Sequence, residues 1–152
     1  MGQKSIDEAL ADWAKRMQKK VQEVNTSVDN GLLKAAYFCE GQAKKNAMLR
    51  IYNLPIDQRY VRKNFRVAVK GMYKTYYKRT GLYKGSIGAK MNPNTPHSAI
   101  LYNSAPYAKY LEFGTSKGIR GKYIMSDAVL KHQAEIIKII SNYIKNGGNK
   151  NG

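Results

Sequence analysis

Seven apolar residues, Ile6, Leu10, Trp13, Met17, Val21, Val24 and Val28, recur every three or four positions near the start of the chain. That spacing lines one side of an α-helix and no side of a strand, so it fixes the first element before anything else is known. Ser5-Ile6-Asp7-Glu8 supplies its start: a serine hydroxyl and a carboxylate three residues on can each satisfy a free amide of the first turn. Asp7, Glu8 and Asp12 come first, and Lys15, Arg16, Lys19 and Lys20 follow, an order that suits the helix dipole. The spacing predicts a helix from about Ser5 to Val24.

Asn25 to Gly31 carries turn chemistry, with Asp29, Asn30 and Gly31 in a row. It reads either as a true turn or as a weak point in a longer helix. The period returns from Leu32 through Leu33, Ala36, Tyr37, Ala43, Ala47, Met48 and Ile51. A second helix should end near Asn53, because Pro55 disfavours helical angles at Leu54. From Ile56 to Lys78, Val61, Phe65, Val69, Tyr73 and Tyr77 repeat every four residues, with Arg62, Lys63, Arg66, Lys70, Lys74 and Lys78 between them. That pattern describes a basic amphipathic helix, although Phe65 to Val69 also alternates like a strand.

After Thr80-Gly81 the character changes. Tyr83 to Lys90 and Ser98 to Asn103 read as short strands, separated by a loop holding Asn92, Pro93, Asn94 and Pro96. Pro106 to Leu111 fits a helical turn or two, and Phe113 to Lys122, with three glycines, fits a flexible loop. Ile124, Ala128, Val129, Ile136, Ile137, Ile140 and Ile144 trace a C-terminal amphipathic helix. Residues 146–152 contain only Asn, Gly and Lys and are expected to be a flexible tail. The fold class is α+β: N-terminal helices, a small antiparallel sheet and a C-terminal helix. One domain over residues 1–145 is expected, helical at 5–53, basic at 56–79, sheet and loop at 80–123, and helical at 124–145.

The mean hydropathy of −0.57 points to a water-soluble chain, and no apolar run approaches the roughly 18 residues a membrane helix needs. The first six residues lack the apolar stretch of a secretory signal, so the chain reads as made in the cytosol and left there. One cysteine, Cys39, excludes an intramolecular disulfide and reads as a small packing residue. The two histidines, His97 and His132, have no neighbours at metal-ligand spacing. No phosphate-binding glycine loop is present, and the one adjacent acidic pair, Asp7-Glu8, already has a capping job. Neither catalysis nor a cofactor or metal is expected. The formal charge is +17, from 27 Lys and Arg against 10 Asp and Glu. Such an excess favours an acidic partner: nucleic acid, an anionic membrane or a negatively charged protein surface. Tyr73, Tyr76 and Tyr77 among Lys74, Lys78 and Arg79 could stack bases and neutralise phosphates, or simply pack one helix face.

Two stretches carry a resemblance. Thr80-Gly81-Leu82-Tyr83-Lys84-Gly85-Ser86-Ile87 resembles the Thr-Gly…Ser-Ile signature of phage minor structural proteins. Pro106-Tyr107-Ala108-Lys109-Tyr110-Leu111-Glu112-Phe113-Gly114-Thr115 is similar to the Pro-Tyr-Ala…Glu-Phe-Gly-Thr core of the same family, the tail-completion or neck proteins of long-tailed phages. Two departures stand out. Lys122-Tyr123 takes the place of the family's Pro-Phe pair, and Pro55-Ile56-Asp57 is separated from Thr80 by the long basic segment. The resemblance implies a non-enzymatic virion protein at the head–tail junction, made in the bacterial host cytoplasm and forming a ring, a hexamer, around the channel. Its implied partners are connector or head-closure proteins, tail-terminator or tail-tube proteins, and DNA in the channel, with no membrane. It gives Thr80, Gly81, Leu82, Ser86, Pro106, Tyr107, Ala108, Glu112, Phe113, Gly114 and Thr115 as motif residues. Tyr107, Tyr110, Leu111 and Phe113 are expected to bury area against the sheet, and Glu112 to hold the Gly114-Thr115 amides. Arg66, Lys70, Lys74, Lys78 and Arg79 are the candidate contacts to DNA or to an acidic partner. The alternatives are a stand-alone basic nucleic-acid-binding protein, or another virion part such as a head-closure adaptor or tail terminator.

Overall fold

The structure, a computed structural model, describes residues 5–53, 81–116, 118 and 120–147. The basic segment, together with its candidate contacts Arg66, Lys70, Lys74, Lys78 and Arg79, lies outside the described residues, as do Thr80 and the last five residues of the chain.

Helix α1 runs without interruption from Ile6 to Ala47, 42 residues or about 63 Å. The capping box forms at its start, with the Glu8 amide donating to Ser5 Oγ at 3.2 Å and the Ser5 amide to Glu8 Oε2 at 3.2 Å. Of the two readings of Asn25–Gly31, the weak point in a longer helix is the one observed. The turn-forming residues are absorbed by other contacts. Ser27 Oγ donates back to the Glu23 carbonyl at 3.0 Å, and Asp29 accepts from or pairs with His97 Nδ1 at 2.8 Å. A Cβ on Gly31 would sit 3.1 Å from Tyr143 Cβ and 3.2 Å from Ile140 Cα, so the missing side chain is what lets the two backbones approach. The helix then widens into a π-helical turn, Met48–Tyr52, whose exit at Asn53 matches the expected end.

The second half differs in detail from the expectation. Leu82–Gly85 is a short helix, α2, where a strand was expected to begin; Gly81 at φ +77° sets its entry. Strands β1, Ile87–Met91, and β2, Ala99–Asn103, form a two-stranded antiparallel sheet. Its register is fixed by Asn92 N–H to Ser98 O at one end and Ser104 N–H to Ser86 O at the other. Gly88 therefore faces Tyr102, whose ring lies where a Cβ at 88 would be, 2.7 Å from Cζ. Helix α3 is Ala108–Phe113. The single C-terminal helix of the sequence reading is two, α4 at Ile124–Leu130 and α5 at Gln133–Lys145. They part at His132, which leaves helical angles at φ −120°, and whose ring packs edge-on against Phe38 at 5.6 Å.

The chain divides into two compact units. The α5 unit takes α1 as far as Cys39, residues 89–101 and α5; the α4 unit takes α1 from Glu40, the π-helical turn, residues 81–88, and the described residues of 102–131. In the α5 unit, Ala35, Ala36 and Cys39 are buried, and burial pushes the Cys39 thiol above its ordinary pKa, as suits a packing residue. In the α4 unit the fully buried large side chains are Tyr83 and Ile124. Among the described residues no helix is long and apolar enough to cross a membrane.

Candidate functional site

The motif from Pro106 to Thr115 folds into a clamp within the α4 unit. Ala108 opens α3 by donating to Ala105 O, and Ala105 in turn is held by Asn103 Oδ1 at 2.9 Å. At the other end of α3 the chain must reverse. Gly114 does this at φ +83°, a conformation that a residue with a Cβ resists. The chain then pairs Gly114 with Arg120 in an antiparallel bridge and returns along α3, with Lys122 N–H on Leu111 O and Tyr123 N–H on Glu112 O. The return is close: a Cβ on Gly121 would lie 2.6 Å from Glu112 O and 2.8 Å from Phe113 C. The loop expected to be flexible is thus laced down at both ends by backbone hydrogen bonds.

This return delivers the start of α4 to the Glu112 carboxylate. Oε2 accepts from the Ile124 amide at 2.8 Å and the Met125 amide at 3.1 Å, while Oε1 accepts from the Ser126 amide at 2.7 Å and Ser126 Oγ at 2.6 Å. Glu112, only 6% exposed, has its burial cost met by these bonds and by the positive end of the helix dipole. The expectation that Glu112 holds the Gly114-Thr115 amides is corrected: Gly114 N–H goes to Tyr110 O, and the free amides in reach are those of the first turn of α4.

The end of α1 grips the same turn from its carbonyl side. Arg50 donates to Lys122 O at 2.6 Å and Tyr123 O at 2.9 Å and pairs with Asp127 at 2.7 Å; Asn46 donates to Ile124 O at 3.0 Å. Lys131 and Arg50 hold the Asp127 carboxyl below its usual range. Tyr123 sits at φ +46°, a strained position for a tyrosine, and its N–H and C=O are both fastened by this network. Lys122-Tyr123, the pair that departs from the family pattern, is therefore where Arg50 and Glu112 O converge.

The first motif contributes less directly than expected. Leu82 is exposed, and the neighbouring Tyr83 is the buried residue. Its ring stacks on that of Tyr107 at 6.4 Å, its carbonyl accepts from Asn103, and burial, then the Glu112 charge, push its phenol up to about 12. Ser86 closes α2 and accepts from Ser104 N–H through its carbonyl. Pro106 is exposed, and Thr115 accepts from Gly118 N–H. The expectation that Tyr107, Tyr110, Leu111 and Phe113 bury area against the sheet holds only in part: Leu111 is half-buried, but Phe113 is 68% exposed and Tyr107 and Tyr110 are exposed, as is Tyr123. The i, i+3, i+4 geometry of so short a helix turns Glu112 inward, and Phe113, one residue on, is turned out. Tyr83, Arg50 and Asn46 were not singled out from the sequence; Arg50 and Asn46 act 72 to 78 residues away, which no local pattern reveals.

Among the described residues no group of three or more His, Cys, Asp or Glu side chains is placed to hold a metal ion. His97 is occupied by Asp29, and His132 stands at the start of α5. Compared with protein-family models, curated proteins and solved structures, the chain matches none.

Proposed function

We propose that the chain is a structural, non-enzymatic component of a tailed phage particle, completing the tail at the head–tail junction as a ring around the channel. The observation that supports this reading most is the state of the Glu112 motif. Its one buried carboxylate is spent on binding the start of α4, while the aromatic residues of the same motif face outward. A motif that stabilises its own loop and presents Tyr107, Tyr110 and Phe113 to solvent suits an assembly surface better than a reaction centre. The partners in this reading are a second copy at the ring contact, connector or head-closure proteins on one side, and tail-terminator or tail-tube proteins on the other. The charge of +17 suits acidic faces on those neighbours.

Mixing the purified protein with its neighbouring tail and connector proteins, followed by light scattering and negative-stain microscopy, tests this. A closed ring seated on tails is the expected result; a chain that joins neither would overturn it. The charge also supports a second reading, a stand-alone nucleic-acid-binding protein. Its mark would be a DNA affinity that falls steeply as salt rises, because each neutralised phosphate releases counterions.

A further inference from the structure

An asparagine followed by glycine is among the least durable steps in a polypeptide, because no Cβ shields the glycine amide from the asparagine side chain. The chain has three such steps, Asn30-Gly31, Asn146-Gly147 and Asn151-Gly152, of which the last lies outside the described residues. The first two differ in setting but not in chemistry. Both asparagines are exposed, so the access of water to the side chain does not separate them. Their backbones do.

Asn30 stands deep inside α1, in an uninterrupted run of helix. Gly31 beside it is buried, and a Cβ there would sit 3.1 Å from Tyr143 Cβ and 3.2 Å from Ile140 Cα. Turning the Gly31 nitrogen onto the Asn30 side chain would break the helix and part it from α5. Asn146 is instead the C-cap of α5, and Gly147 beyond it is exposed at φ +58°, with open space where a Cβ would be. The Gly147 N–H reaches Ile144 O only at 3.4 Å, longer than an ordinary hydrogen bond. Freeing it requires no more than fraying of a last turn, the mildest kind of local opening. Asn103, which precedes the small residue Ser104, is pinned through its side chain: it donates to Tyr83 O at 3.1 Å and accepts from Ala105 N–H at 2.9 Å.

We propose that Asn146-Gly147 is a site of spontaneous deamidation, and that the fold protects the same dipeptide at Asn30-Gly31. The Gly147 nitrogen attacks Asn146 Cγ. The new N–Cγ bond forms, the Cγ–Nδ2 bond breaks, and ammonia leaves with the proton that the Gly147 nitrogen gives up. Water then opens the cyclic imide at either carbonyl, giving aspartate, or isoaspartate when the backbone is left running through the side-chain carbon. Water enters and ammonia leaves, with no oxidant, metal or enzyme. The product carries a new carboxylate at the negative end of the α5 dipole, beside Lys145. The reaction needs only water and the chain itself, whatever particle the chain belongs to.

Peptide mapping of the full-length protein, aged in warm, mildly alkaline buffer, tests this. Tryptic cleavage after Lys20, Lys34, Lys145 and Lys150 places Asn30, Asn146 and Asn151 in different peptides. The peptide beginning at Asn146 should gain the mass difference between OH and NH2 more than about tenfold faster than the peptide holding Asn30, because a helix interior opens far less often than a frayed end. In denaturing urea both should react at comparable rates. Equal rates in the folded protein, or an unreactive Asn146, overturn the proposal. So does a difference that persists in urea, since its cause would then be the flanking residues and not the fold.

Discussion

Residues 6–24 and 27–47 belong to one helix, yet the two stretches differ in what they bury. The second stretch buries Ser27, Gly31, Ala35, Cys39, Ala43 and Ala47, a run of small residues at intervals of four. Small side chains let other backbones come close, as Gly31 does for Ile140 and Tyr143. The first stretch puts Ile, Leu, Trp, Met and Val on its stripe and leaves them in water. Within one chain, then, the small residues mark the interior and the large ones stay exposed. A reader who ranks positions by hydrophobicity alone would reverse the two.

Substitutions at four positions would break or sharpen that contrast. The largest effect belongs to Glu112→Ala, which strips three amides and a hydroxyl of a buried acceptor and should cost about 3 kcal/mol, read as a lower denaturation midpoint. Glu112→Gln keeps the shape but turns one acceptor into a donor, and should lose an intermediate amount. Next is Gly31→Val, whose Cβ meets backbone at 3.2 Å and should cost about 1–3 kcal/mol through overpacking; a neutral result would mean that the helices part easily. Third comes Asp127. Its folded pKa is depressed by Lys131 and Arg50, so its contribution is complete above the unfolded carboxylate value, near 4, and is lost as pH falls through the lower folded value. Asp127→Asn should flatten that part of the acid limb in a pH series of melts. The smallest effect is expected for Leu10→Lys, within about 0.5 kcal/mol, because Leu10 is exposed. A large loss there would mean that the stripe is already covered within its own chain.

The α+β architecture and most element positions were legible in the sequence, because stripes of period 3.6 and clusters of Asn, Pro and Gly act locally. The breaks were not. Asn30-Gly31 looks like a turn because turn formers carry that preference, but packing against α5 overrides it. His132 looks like one more helical position because nothing beside it signals a stop, and the break appears only once its ring has met Phe38. The site was half visible. Glu112 stood out as the acid of the Pro106–Thr115 motif, and its role as an acceptor of backbone amides followed from chemistry. Which amides it takes depends on Gly121 passing within contact distance of the Glu112 and Phe113 backbone, a tertiary fact. The exposed Phe113 was misread because an aromatic residue in a motif invites burial.

The Glu112 network also has a direction in time. Its carboxylate joins residues 12 to 14 positions ahead, whereas Asn46 and Arg50 join residues 72 to 78 positions ahead. Closing the longer span costs about 1.5 kcal/mol more chain entropy than closing the shorter one. The hairpin of α3 and α4 can therefore assemble from a single stretch of nascent chain, and the arginine locks it afterwards. Weakening Glu112 should slow the folding arm of a kinetic chevron, and weakening Arg50 should steepen escape from the finished state while leaving the folding arm nearly unchanged.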